Sequence, residues 1–467
     1  MSIDHGTAPT DRVSNPYLEG NFAPVETEVT AFDLEVDGEL PASLNGRYLR
    51  NGPNPIVADP ATYHWFTGAG MVHGISLREG TAQWYRNRWV RAGAVPGELG
   101  EPDPGGPATE GADFAANTNV VGVGGRCFAL VEAGSKPVEL DAELGTVGRS
   151  DLDGTLPNGA TAHPKVDPAT GELHMANYFW ARPDVIEYVV VGPDARVRHR
   201  QDIEAPGSPM VHDMSITEHH AVFYDLPVTF DLDVAMGGSV FPYAWNPEHP
   251  SRVGVLPLGG GSATDAVRWF EVSPCYVFHP LNAYDVLGDD GSVAQIVLDV
   301  VRHDRVFDRH QLGPDESVPV LWRWTLDLNT GRVTETQLDD VAVEFPRVDE
   351  RVVGRRHRYG WAASVLERSG GGIDYGGSSL YRRDDDTGEV LRHGFGPGRS
   401  AGEAVFVPSG ADAAEDDGHL LTLVYDASTD RSELVVLAAQ DVSAGPVAVV
   451  HLPQRVPFGF HGNWLPE

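Results

Sequence analysis

Glycine or proline interrupts this chain about once in every five residues, with 53 Gly and 35 Pro among 467. A helix interior tolerates neither, because glycine gives up backbone entropy there and proline lacks the N–H that the helix uses. Helical bundles are therefore excluded, and short strands joined by turns remain. Such runs recur along the chain: RCFALVEA near residue 130, DVIEYVVVG near 188, HAVFYDLPVTF near 225, AQIVLDVVRH near 298, VLWRWTLDL near 323, LLTLVYDA near 424 and ELVVLAA near 436. Between them one turn pattern, D-x-x-T-G, appears at 167–171, 327–331 and 384–388. The Asp side chain bonds back to the turn backbone and the Gly supplies the positive φ that closes it. Repeated hairpins of this chemistry predict a β-propeller or a large sandwich. Seven blades of about 40 to 45 residues take up roughly 300, and the surplus suffices for long loops capping one face. No linker-like shift in composition divides the chain, so one domain over 15–467 is expected, preceded by a flexible segment 1–14. The SGGGIDYGGSS stretch from Ser369 predicts a turn or mobile loop.

Charge and cysteine content exclude partners and compartments without choosing a function. Against 34 Lys and Arg stand 68 Asp and Glu, a formal charge of −34, which repels phosphate backbones and argues against nucleic acid. It equally disfavours docking on anionic lipid through a basic patch. Two distant cysteines, Cys127 and Cys275, cannot build a disulfide framework or a thiolate cage. A polar N-terminus and the lack of any apolar run of about 18 residues predict a cytoplasmic protein. GAGMVHG from Gly68 misplaces the third glycine of a dinucleotide fingerprint and opens no helix. Phosphate-loop, H-E-x-x-H and G-x-S-x-G signatures are missing.

The histidines discriminate better. His5, His199, His249, His303, His310, His393 and His419 lie in polar or turn-like company and are expected to be solvated. Four others sit at strand-like positions among apolar or structure-fixing neighbours: His163 in TAHP, His212 in MVHDMSIT, His279 in VFHPLNAYD and His461 in FGFHGNW. A buried imidazole is often a satisfied core group, and each of these alone is open to that reading. Their separations match no local finger, so a shared site requires a fold that brings distant strands to one point, as a propeller axis does.

Long ordered motifs then carry a resemblance. NGRYLRNGPNP from Asn45, HWFTGAGMVHG from His64, NTNVV from Asn117, TAHP from Thr161, YDLPVTFD from Tyr224, FHPLNAYD from Phe278, EFPRVDER from Glu344, EDDGHLLTLVYD from Glu415 and GFHGNW from Gly459 resemble the carotenoid cleavage oxygenases from about residue 15 to the C-terminus. The resemblance implies an all-β, seven-bladed β-propeller with a loop and helix dome over an axial non-haem metal site. It places the iron ligands on His163, His212, His279 and His461, one Fe(2+) per chain, with O2 as co-substrate. It places ring-orienting glutamates at Glu132, Glu344 and Glu403, leaving His163 without such a partner. The small side chain narrowing an open coordination position falls on Thr118, and Phe66, Val131, Phe278 and Phe345 are expected along an apolar substrate tunnel.

The implied reaction is oxidative cleavage of a C=C bond of carotenoids or apocarotenoids to two carbonyl products. Phenolic stilbenes or vinylphenols are the alternative substrates, and a non-catalytic propeller binding module is the alternative of another class. In the stilbene-cleaving branch the resemblance leads one to expect a Lys before the first glutamate and a Tyr in the N-R-x-V segment; here Val131 and Trp89 stand there. A buried phenol would then lack a polar partner, at a cost of roughly 1–3 kcal/mol, whereas an apolar polyene loses nothing. Thr67 and Ala69 replace acidic residues common in relatives. Only about ten residues join YDLPVTFD to PYAWNP, so membrane contact is expected to be peripheral at most.

Overall fold

The computed structural model of the chain describes residues 14–258, 266–367 and 373–467. Seven antiparallel sheets form the blades of a propeller, and two short two-stranded ribbons lie beside them. Blade 1 contains Gly46–Pro53, Gly70–Arg78 and Thr81–Trp89. Blade 2 starts at Asn119–Val123, blade 3 at Lys165–Val166 and blade 4 at Met214–Ile216. Blade 5 starts at Pro280–Leu287, blade 6 at Val343–Arg347 and blade 7 at Arg399–Ala401. The first strands of blades 3, 4, 5 and 6 touch in succession around the central axis, and that of blade 2 touches Gly46–Pro53 and Gly462–Pro466 of blade 1.

The ring is closed from both ends of the chain. Gly462–Pro466 pairs with Gly46–Pro53 inside blade 1, and Val36–Gly38 pairs with Pro446–His451 at the outer edge of blade 7. Closure satisfies edges that would otherwise expose backbone donors and acceptors.

The D-x-x-T-G turns are all hairpin turns, joining the first and second strands of blade 3 and the third and fourth strands of blades 5 and 6. Gly171, Gly331 and Gly388 have φ of 70–75°, and each Asp accepts from turn backbone N–H groups. Large side chains pack between blades. Trp361 stacks on Phe406 with ring centroids 4.9 Å apart, and Trp324 and Phe223 are fully buried in the core shared by blades 3 to 5. Each such burial stabilises by about 1.5–3 kcal/mol.

The α-helices among the described residues are short, Val95–Leu99 and Leu232–Met236, so the cap above the axis is built almost wholly of loops. None is long and apolar enough to cross a membrane. The stretch 368–372 falls outside the described residues. From Ile373 onward the supposed loop instead pairs with Leu366–Glu367 and buries Tyr375, whose hydroxyl donates to Pro314 O at 3.0 Å.

Candidate metal centre

Each histidine singled out in the sequence lies at the entrance of a blade's axial strand. His163 precedes Lys165–Val166, His212 precedes Met214–Ile216, His279 precedes Pro280–Leu287 and His461 precedes Gly462–Pro466. Blades 3, 4, 5 and 1 thus deliver one imidazole each to the axis. The other three blades deliver the glutamates: Glu132 follows the second strand of blade 2, Glu344 lies on the first strand of blade 6, and Glu403 on the inner edge of blade 7.

All four rings are buried. One ring nitrogen each from His163, His212 and His279 lie within 4.8 Å of one another. The His461 ring is packed against two of these, with centroids 4.6 Å from His163 and 4.7 Å from His279. Nδ1 of His279 donates to Glu344 at 2.5 Å and Nδ1 of His461 donates to Glu403 at 2.9 Å. Nδ1 of His212 lies 2.8 Å from Glu132 Oε1. A proton held at Nδ1 by a carboxylate leaves the Nε2 lone pair for a metal. Nε2 of His163 and of His279 is in fact buried without a protein partner, a state that costs energy unless something else binds there.

Electrostatics agree with a cation site. Burial and the neighbouring imidazoles of His212, His461 and His279 hold His163 far below its ordinary pKa, and burial brings His461 down to about 4. Both are therefore neutral donors at pH 7. Burial would also lower His279, but the carboxylates of Glu344, Asp213 and Glu403 together more than offset it and the net shift is upward. Burial opposes ionisation of Glu403, yet Arg347 and His461 overcome it and hold its pKa down at about 2. Four imidazoles on one axis with three carboxylates behind them fit a divalent transition metal of the kind imidazole favours.

The glutamates are set by local backbone. Ala133 and Phe345, directly after Glu132 and Glu344, have φ of 62° and 54°. At Glu344 a bulge interrupts the pairing with the next strand, so that Glu344 reaches His279 while Phe345 lies over the same imidazole, centroids 5.2 Å apart. Strained backbone of this sort re-aims side chains at sites.

Above the histidines is a cavity of about 860 Å³. Phe66, Val131, Phe278, Phe345 and Thr118 all line it, joined by Tyr178, Phe241 and Phe460. Thr118 is buried; its hydroxyl donates to Asn117 Oδ1 at 2.9 Å and its carbonyl accepts from His461 N at 3.0 Å. The cavity opens between Val57, Phe114, Trp180 and Val240, all exposed. Leu232 and Met236, on the short connection before PYAWNP, are 65% and 80% exposed. Brevity has therefore not made that connection polar. Trp89 is not in the cavity wall, and its indole N–H donates to Asn54 O at 2.9 Å.

Two histidines expected to be solvated are buried. His303 is fully buried and its Nε2 lies 3.2 Å from Glu344, and His249 is buried with its Nε2 2.6 Å from Asp225. Their partners, Glu344 and Asp225, lie 41 and 24 residues away in sequence. Asp213, Arg347 and Tyr178 were also missed: Asp213 Oδ2 is 3.8 Å from His163 Nδ1, Arg347 is 3.2 Å from Glu403, and Tyr178 donates to Glu132 at 2.7 Å. Asp213 and Arg347 lie inside the motifs MVHDMSIT and EFPRVDER, where their reach was invisible; nothing in the sequence marks Tyr178.

A family described as "Retinal pigment epithelial membrane protein" (RPE65) matches residues 22–466. A "Carotenoid cleavage oxygenase" of Mycobacterium tuberculosis is 47% identical over 98% of this chain and 99% of its own. A lignostilbene dioxygenase of Pseudomonas brassicacearum superposes with a TM-score of 0.86 at 30% identity, covering 97% of this chain and 99% of that one. A cobalt-substituted ACO of Synechocystis, an apocarotenoid oxygenase, gives 0.83 at 28% identity, covering 95% and 97%.

Proposed function

This chain belongs to the carotenoid cleavage oxygenase family, and from that premise we propose that it is a non-haem iron(II) dioxygenase cleaving a C=C bond of carotenoids or apocarotenoids to two carbonyl products. The observation that carries the reading is the set of four buried imidazoles on one axis, three with a Glu at Nδ1 and two with Nε2 lacking any protein partner. His163, His212, His279 and His461 hold the ion, one per chain, and residues 15–467 form the single catalytic unit. A scaffold propeller has no use for such a set.

Iron(II), when bound, supplies an open-shell centre that relieves the spin barrier to adding triplet O2 to a closed-shell alkene. The protein's own part is positioning. Phe66, Phe278 and Phe345 make an apolar wall that excludes water and lays a conjugated chain beside the histidines, while Thr118 restricts approach next to His461. Among the cavity's tyrosines, Tyr178 spends its hydroxyl proton on Glu132 and Tyr375 on Pro314. The exposed apolar rim suits collecting a polyene from a bilayer surface, with peripheral contact only.

The lignostilbene dioxygenase among the structural neighbours favours phenolic stilbenes as the second reading. Against it, Val131 offers a phenol no hydrogen bond and the Trp89 donor is engaged elsewhere. The deciding experiment is anaerobic loading with iron(II), followed by oxygen uptake and product mass spectrometry on an apocarotenal, a full-length carotenoid and a hydroxystilbene. About one iron per chain and a higher kcat/KM for a polyene are expected; a tenfold preference for the hydroxystilbene would reverse the substrate assignment, and no specific iron would end the enzyme's metal reading.

A further inference from the structure

The histidines face two cavities, of which the lower has the more polar lining. Below them a second cavity of about 790 Å³ runs down the propeller axis between the first strands of blades 2 to 6 and Gly462–Pro466. His279 and His461 line both cavities, His163 only the lower one and His212 only the upper one. The lower wall is polar near the metal site: Asn119, Asp213, Ser215, Asn282, Glu403 and Asn463. Its outer end is lined by the exposed residues Gly122, Asp141 and Val166.

We propose that this axial channel, and not the apolar cavity above, is the route by which the hydrated divalent ion reaches the histidines. The inference rests on the iron reading. Around the histidines the upper wall is mostly phenylalanine and its nearest polar side chains are already engaged, Asn117 with Gly68, Thr118 with Asn117 and Glu132 with Tyr178, and desolvating an ion without compensation is expensive. Carbonyl, hydroxyl and carboxylate oxygens along the lower channel replace hydration as the ion moves. The inner carboxylates are also partnered by cations, Asp213 by Lys165 at 2.9 Å and Glu403 by Arg347 at 3.2 Å. The channel thus solvates the ion without offering a carboxylate trap that rivals the four imidazoles.

The test plugs each cavity after folding. Val166→Cys and, independently, Val121→Cys, both lining the lower channel, and Val240→Cys, at the upper mouth, are labelled with a bulky maleimide. Cys127 and Cys275 are buried, and burial pushes their thiols up to about 11 and about 12, so the maleimide-treated parent serves as control. Anaerobic iron(II) uptake is timed by the metal retained after rapid desalting. The lower labels should slow uptake at least tenfold and leave the final stoichiometry unchanged, with the Val240 label leaving the rate at that of the parent. Uptake unaffected by both lower labels, or slowed more by the upper one, would overturn the route while the metal site stands. A parent that binds no iron would overturn both.

Discussion

At the scale of the residue, an imidazole binds a metal well only when its other nitrogen holds the ring in one tautomer and one orientation. Glu344 serves two histidines at once, His279 at 2.5 Å and His303 at 3.2 Å, and Glu403 is itself held by Arg347 and by the N–H of Gly462. Among the described residues Glu132 accepts from Tyr178, while His212 Nδ1, 2.8 Å from its other oxygen, makes no aligned hydrogen bond to it. Glu344→Gln and Glu403→Gln should therefore lower metal affinity by about 10–100-fold, and Glu132→Gln by less, as read by chelator competition. His212→Ala and His461→Ala open the ligand set itself and should abolish cleavage. Full activity in His461→Ala would remove that residue from the site.

Among the elements, the hairpin turns carry the blade geometry at little energetic expense. Gly388 has φ of 74° and nothing within 4 Å of where a Cβ would stand, so a substitution there tests backbone conformation alone. Gly388→Ala should destabilise the protein by about 1–2 kcal/mol, the cost of placing an L-residue in the left-handed region, with Gly388→Asn costing less. Denaturant midpoints measure both; an alanine variant as stable as the parent would show that the turn relaxes to another type. These turns were legible in sequence because their chemistry is local. The positive φ values at Ala133 and Phe345 were not, since neither residue type favours that conformation and only the surrounding sheet holds it there.

For the whole molecule, burying so many histidines makes stability depend on pH. Burial pushes His64 and His73 to about 3 and His174 to about 4, from an ordinary 6.5. Between those values the unfolded chain takes up protons that the folded one refuses. Stability is therefore complete above pH 6.5 and falls on acidification, by about 1.4 kcal/mol per pH unit for each such group. Denaturant unfolding of the metal-free protein from pH 7.5 to 5 should show that decline, and His73→Gln should reduce the slope by about one proton. A flat profile would mean that these imidazoles are solvated or partnered by acids.

What the sequence determined by itself was the part written in short-range chemistry. Gly and Pro spacing excluded long helices, D-x-x-T-G specified hairpins, and the apolar neighbours of His163, His212, His279 and His461 marked them off from the other fourteen histidines. The motif resemblance then supplied the propeller and the pairing of glutamates with imidazoles, which no spacing implies. Only the tertiary structure decided which groups stand beyond those motifs. His303 and His249 looked solvated beside polar neighbours and are buried on Glu344 and Asp225, Trp89 faces Asn54 instead of the cavity, and Asp213 points toward His163. The physical reason is range: turn and strand preferences act over a few residues, whereas burial and ion pairing on a propeller axis are set by blades that are up to 300 residues apart, such as those carrying His163 and His461.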